Sequence, residues 1–111
     1  MDSKNIFIAC SAMLRKAEWE KPKNNNEWSF VGDGARFLLE IVQENINNYF
    51  TEDELYLVTD RHKSKEIKKE NAANEVRDLL KYQDVTLCNK EFKRFIVFNH
   101  IGVAKQGEYH S

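Results

Sequence analysis

The apolar positions of the chain follow two different periods. Phe37, Leu38, Ile41, Val42, Ile46 and Tyr49 recur at helical spacing, while Arg36, Glu40, Gln43, Glu44 and Asn47 fall largely on the opposite side. This predicts a helix that Asp33 can cap and that ends near Phe50, where Thr51-Glu52-Asp53-Glu54 breaks the pattern. A second stripe, Ala72, Ala73, Val76, Leu79 and Leu80, predicts a helix capped by Ser64 and running to about Tyr82. Its first half, Lys63 to Glu70, is charged apart from Ile67 and is expected to project from the body.

The remaining apolar segments are short and β-like. Asn5 to Met13, headed by Ile6, Phe7 and Ile8, reads as a buried strand, and Leu55 to Thr59 as a central one. Val85 to Cys88, Phe92 to Phe98 and Ile101 to Lys105 predict three consecutive strands, with Asn99-His100 as a turn. Trp28, Phe30 and Val31 have the makings of a further short strand. Lys21 to Glu27, with Pro22 and three successive asparagines, is the clearest loop, and the chain from Gly107 onward reads as a frayed tail. The order β-α-β-α-β-β-β gives an α/β (α+β) fold: a single-layer mixed sheet of about five strands with two main helices on one or both faces.

Length decides the domain count. A chain of 111 residues, 41% of them hydrophobic, can bury one core but not two, so residues 1–111 are expected to form a single domain. No stretch approaches the ~20 apolar residues of a membrane span. The short run after Lys4, interrupted by Arg15 and Lys16, does not make a signal peptide. The expectation is a cytoplasmic protein.

Charge alters the picture more than composition does. The net charge of −1 conceals a segment from Asp33 to Asp60 in which Arg36 stands alone against Asp33, Glu40, Glu44, Glu52, Asp53, Glu54 and Asp60. The flanking regions are mildly basic. Overall basicity of the kind that binds nucleic acid is lacking. Lys63 to Glu70 is diluted by Glu66 and Glu70 and has no interleaved aromatic residues to stack on bases, so direct nucleic-acid binding is not expected. The consecutive carboxylates Glu52, Asp53 and Glu54 must be largely exposed. If the fold gathers them with Glu44 and Asp60, they make a negative patch suited to a basic protein.

Candidate chemistry is sparse. Gly32-Asp33-Gly34 before a helix has neither dinucleotide-loop nor P-loop spacing, and reads as a turn and cap. Thr59-Asp60-Arg61-His62 follows a predicted strand, where sites in α/β sheets collect. Neighbouring side chains on extended backbone point to opposite sides, however, and no further ligand stands at metal spacing. Cys10 and Cys88 lie among Ile, Phe, Val and Leu, an environment for reduced core thiols rather than for a nucleophile served by His100. Trp19 and Trp28 flank the asparagine loop as either interface anchors or plugs at the rim of the core. No cofactor is expected.

The stretches YLVTDRHKSKEIKK, VRDLLKY, VTLCNKEFKRFIVF and IGVAKQG, between Leu55 and Gly107, resemble in layout the small bacterial immunity proteins of contact-dependent and other polymorphic toxin systems. The resemblance covers about half of the chain and rests on no fixed binding motif. It implies a non-enzymatic protein that binds and occludes a cognate toxin, often a nuclease with a basic active site. The partner-binding residues would then be Glu44, Glu52, Asp53, Glu54 and Asp60, with Trp19 or Trp28 as aromatic anchor. The alternative is a small enzyme or ligand-binding domain centred on Asp60, Arg61 and His62. In either case the chain is expected to be a monomer or, through exposed edge strands, a homodimer.

Overall fold

Asp2 starts the first helix: its carboxylate accepts a hydrogen bond of 2.9 Å from the Asn5 backbone N–H, and α1 runs over Ser3–Leu14. This segment was expected as a strand. The β-branched head Ile6-Phe7-Ile8 suggested one, but the Asp2 cap and the strong helix formers Ala9, Ala12, Met13 and Leu14 prevail. The computed structural model describes residues 2–20, 29–32 and 37–109. The expectations for Asp33, Arg36, Trp28 and the asparagine loop lie outside them.

The elements after α1 are β1 (Glu18–Trp19), β2 (Ser29–Phe30), α2 (Leu39–Tyr49), β3 (Glu54–Val58), β4 (Lys65–Lys68), a 3-10 turn (Lys69–Asn71), α3 (Ala72–Leu80), β5 (Val85–Cys88), β6 (Arg94–Asn99) and β7 (Val103–Glu108). The class is α+β, as expected. Among the described residues there are three helices rather than two, and seven strands rather than about five. The strands lie in the order β4-β3-β5-β6-β7, with both β1 and β2 pairing onto β7. Every pairing is antiparallel, so the sheet is not mixed.

Two further expectations are corrected. The predicted helix from Ser64 begins instead with strand β4, because Lys65, Glu66 and Lys68 are exposed while Ile67 is buried opposite Leu55. The residues of β4 pair in antiparallel register with β3, Leu55 opposite Ile67 and Tyr56 opposite Glu66, in place of a helical turn. Gly107 is not a frayed end: it is buried and pairs with both Trp19 and Phe95. A Cβ at this position would run into the Glu18 carbonyl oxygen, so only glycine lets β1 close against β7.

Alternation along the central strands makes three layers. Leu55 and Leu57 of β3, Val85 and Leu87 of β5, and Ile96 and Phe98 of β6 share one cluster with Val42 and Ile46 of α2 and Val76 and Leu80 of α3. Tyr56, Val58, Cys88 and Phe95 point the other way and cluster with Ile6 and Cys10 of α1. The sheet therefore separates α2 and α3 from α1. Among the described residues, no helix is long and apolar enough to cross a membrane.

Candidate functional site

The buried positions of α2, Val42 and Ile46, fix which of its residues face outward. Glu40, Gln43, Glu44 and Asn47 stand three and four residues apart and form one stripe of helix surface. The stripe forms one wall of a trough made of two contiguous depressions of about 370 and 490 Å³, which share Gln43, Asn47 and Glu70. Leu39, Glu40, Glu44, Ala73 and Asn74 complete the first, and Asp53, Glu54, Lys68 and Lys69 the second.

Gln43 holds the two walls together. Its Nε2 donates to Asn47 Oδ1 and to the Lys69 carbonyl, both at 2.9 Å, while its Oε1 accepts from the Ala73 N–H at 3.0 Å. Asn71, at the cap position of α3, makes no capping side-chain bond, so a glutamine from another helix serves one of the first N–H groups of α3. Across the far end, Lys69 donates from its backbone N–H to Asp53 O at 2.8 Å and from Nζ to Phe50 O at 3.1 Å.

The trough is acidic. Glu40, Glu44, Asp53 and Glu70 are exposed, and none forms an ion pair among the described residues. Glu54 differs: hydrogen bonding to the Glu66 carboxylate, then repulsion by it, hold the Glu54 carboxyl above its ordinary range, opposed by Lys90 at 3.9 Å. Lys90 lies 2.6 Å from Glu66 and holds that carboxyl below the ordinary range. Glu54, Glu66 and Lys90 thus form one electrostatic cluster at the edge of the trough.

The other expected partner-binding residues are dispersed. Glu52 lines a separate polar depression of about 470 Å³ with Thr51, Asn89, Glu91, Lys93, Arg94, Glu108 and Tyr109. Asp60 lies past the opposite end of β3, roughly 20 Å from Glu54 at the rise of extended backbone. An extended strand carries the two ends of the acidic segment apart, so the single patch expected from sequence does not form. Trp19 belongs to the α1 side of the sheet, with Lys105 Nζ 4.3 Å from the centre of its ring. Trp28 is outside the described residues.

The Asp60 segment is a built turn. Asp60 Oδ1 accepts from the N–H groups of His62 at 2.8 Å and Lys63 at 2.9 Å. The bond from His62 chiefly, helped by that from Lys63 and by the nearby charges, keeps the carboxyl below its usual range against the opposing effect of desolvation. Ser64, expected to cap a helix, instead donates to Asp60 O at 2.7 Å and accepts from the Thr59 N–H at 3.2 Å. Arg61 and His62 are exposed, and neither they nor Asp60 line any of the three depressions.

His100 and Cys88 sit at opposite ends of the β5–β6 hairpin. The His100 ring lies 2.8 Å from Asp84. Desolvation raises the Asp84 carboxyl, but the side-chain and backbone hydrogen bonds from His100 outweigh it and the net shift is downward. Among the described residues, no three or more His, Cys, Asp or Glu side chains gather as they would around a metal ion.

Of the residues expected from sequence, Glu44, Asp53 and Glu54 line the trough, and Gln43 and Glu70, not expected there, line it as well. Gln43 was visible only as a polar position on a helix, and Glu70 was assigned to a projecting helix start. Comparison with protein-family models, curated proteins and solved structures finds no match.

Proposed function

We propose that the chain is a non-enzymatic protein-binding domain that receives a basic segment of its partner along the α2 trough. In its most specific form it is a cytoplasmic immunity protein that neutralises a cognate toxin. The observation that supports this reading is the trough itself, where Glu40, Glu44, Asp53 and Glu70 stand unpaired among the described residues and the lining holds just two cations, Lys68 and Lys69. Lys69 is already turned onto a main-chain carbonyl. Half-buried Leu39 gives the acidic wall apolar surface. Long basic side chains suit such a trough, laying their methylene stems on the apolar surface and their charges against the carboxylates. The immunity role rests on the resemblance of residues 55–107 and on the absence of convergent catalytic groups at Asp60–His62.

Reversing Glu40, Glu44 and Glu70 to lysine tests the reading, since all three are exposed and the fold does not depend on them. Capture from a bacterial lysate at low and high salt should yield one basic protein with the parent chain and lose it with the triple variant. The association rate should fall by about 10-fold or more, with a weaker dependence on salt. Retention of the same partner at an unchanged rate by the triple variant would exclude the trough. A captured partner whose toxicity in cells is not relieved by this chain would exclude the immunity role while leaving the trough intact.

A further inference from the structure

Cys10 and Cys88 are distant in sequence but meet where α1 packs on the sheet. They are 1% and 0% exposed and belong to one cluster with Ile6, Tyr56, Val58 and Phe95. One thiol is carried by the helix and the other by β5, both inside this buried cluster, and no disulfide joins them. The neighbouring Cys10 thiol first, and then burial, push the Cys88 thiol upward and keep it protonated while α1 is docked.

The attachment of α1 determines when the pair becomes reactive. The helix lies on the sheet through apolar contacts and is not part of its hydrogen-bonded ladder. Among the described residues its polar tie to the sheet is the Ser3 hydroxyl, which donates to Arg61 O at 2.9 Å and accepts from the Ser64 N–H at 2.8 Å. Lifting α1 would bring both thiols to solvent together, and its return would bury them again in one cluster.

We propose that Cys10 and Cys88 form a redox latch in which a hydroperoxide closes a disulfide between α1 and β5 and a small thiol reopens it. In the closing reaction, the thiolate of one lifted cysteine attacks a peroxide oxygen, the O–O bond breaks, and a sulfenic acid and one water form. The second thiol then attacks the sulfenic sulfur, the S–O bond breaks, and the disulfide and a second water form. The two sulfurs together lose two electrons and two protons, and hydrogen peroxide is reduced to water. Reopening by a dithiol returns both hydrogens as the dithiol becomes its own disulfide. Closure joins two segments separated by most of the chain, the arrangement in which a cross-link most restricts the unfolded state.

The test exposes the full chain to hydrogen peroxide near neutral pH and follows it by intact mass, non-reducing peptide mapping and thermal unfolding. The expected product is a monomer lacking two hydrogens, with the Cys10 and Cys88 peptides linked. Its Tm should be higher by roughly 10 °C and return to the starting value with dithiothreitol. Without oxidant, the two thiols should alkylate at one common rate, and Ser3→Ala should raise that rate several-fold. Cys10→Ala should abolish the oxidative rise in Tm, and the mass and peptide readouts do not require that variant to fold. Sulfinic acid at a single cysteine, disulfide-linked dimers, or two unrelated alkylation rates would overturn the latch.

Discussion

The two faces of the sheet are built differently. Under α2 and α3 the core is mainly aliphatic and continuous, and Ile46, Phe50, Leu55, Leu57 and Leu87 have no exposed surface. Under α1 the buried set is smaller and mixes two thiols and a tyrosine with Ile6, Val58 and Phe95. Around it lie half-buried Phe7, Trp19, Phe92 and Tyr109. Polar anchoring differs as well. On the first face Gln43 bridges α2 to α3, Tyr49 Oη donates to Gly107 O at 2.6 Å, and Arg94 donates to Tyr49 O at 2.9 Å. Burial holds the Tyr49 hydroxyl well above its ordinary range, which keeps it a donor. On the second face α1 is tied by the Ser3 hydroxyl. Cooperative stability belongs to the first face and local opening to the second.

The sharpest way to break this contrast is a matched truncation. Ile46→Ala should cost about 4 kcal/mol, and Ile6→Ala about half as much, because a single helix lying on a sheet can settle into the space it loses. Denaturant unfolding gives both values, and equal losses would mean that α1 is as integral to the core as α2. A smaller effect is expected at Gln43. Gln43→Ala leaves the Ala73 N–H and the Lys69 carbonyl without this partner and should cost about 1–2 kcal/mol. Hydrogen exchange should show the loss concentrated at the start of α3, and uniform loss of protection would show that the glutamine is not a local clasp.

The smallest effect concerns the turn that carries the α1 tie. The Asp60 carboxyl is depressed in the folded chain, so its stabilising effect is present above the ordinary carboxylate range and disappears as pH falls through the folded value. Thermal melts of Asp60→Ala and the parent should differ modestly at neutral pH and converge as the pH falls below the ordinary aspartate range and through the depressed folded value. A difference that persists in acid would place the effect in the backbone of the turn rather than in the carboxylate.

The α2 helix was legible because its apolar stripe is long, and the strands from Leu55 and Val85 because they are short and β-branched. The N-terminal segment was not legible: its run of apolar residues fits a strand or a helix alike, and the Asp2 cap decides between them. β4 was hidden by the charges of Lys65, Glu66 and Lys68, which belong to an edge strand exposed on one side. Part of the trough was visible as local acidity, but Asp60 separates from Glu54 because nearness in sequence is not nearness along an extended strand. Gln43 gave no signal, since its three bonds reach elements that lie together only in the finished fold.

The position of β7 also bears on how the chain comes off the ribosome. β1 and β2 precede β7 in the chain, yet among the described residues it is β7, the last strand described, with which both pair. Through most of translation these two segments have no ladder to join, and α1 is complete before the sheet it covers exists. Closure of that edge must await emergence of the segment around Gly107, so a nascent chain stalled before this point would expose both its earliest strands and the apolar side of its first helix. Such chains are natural clients for a chaperone that works at the exit tunnel.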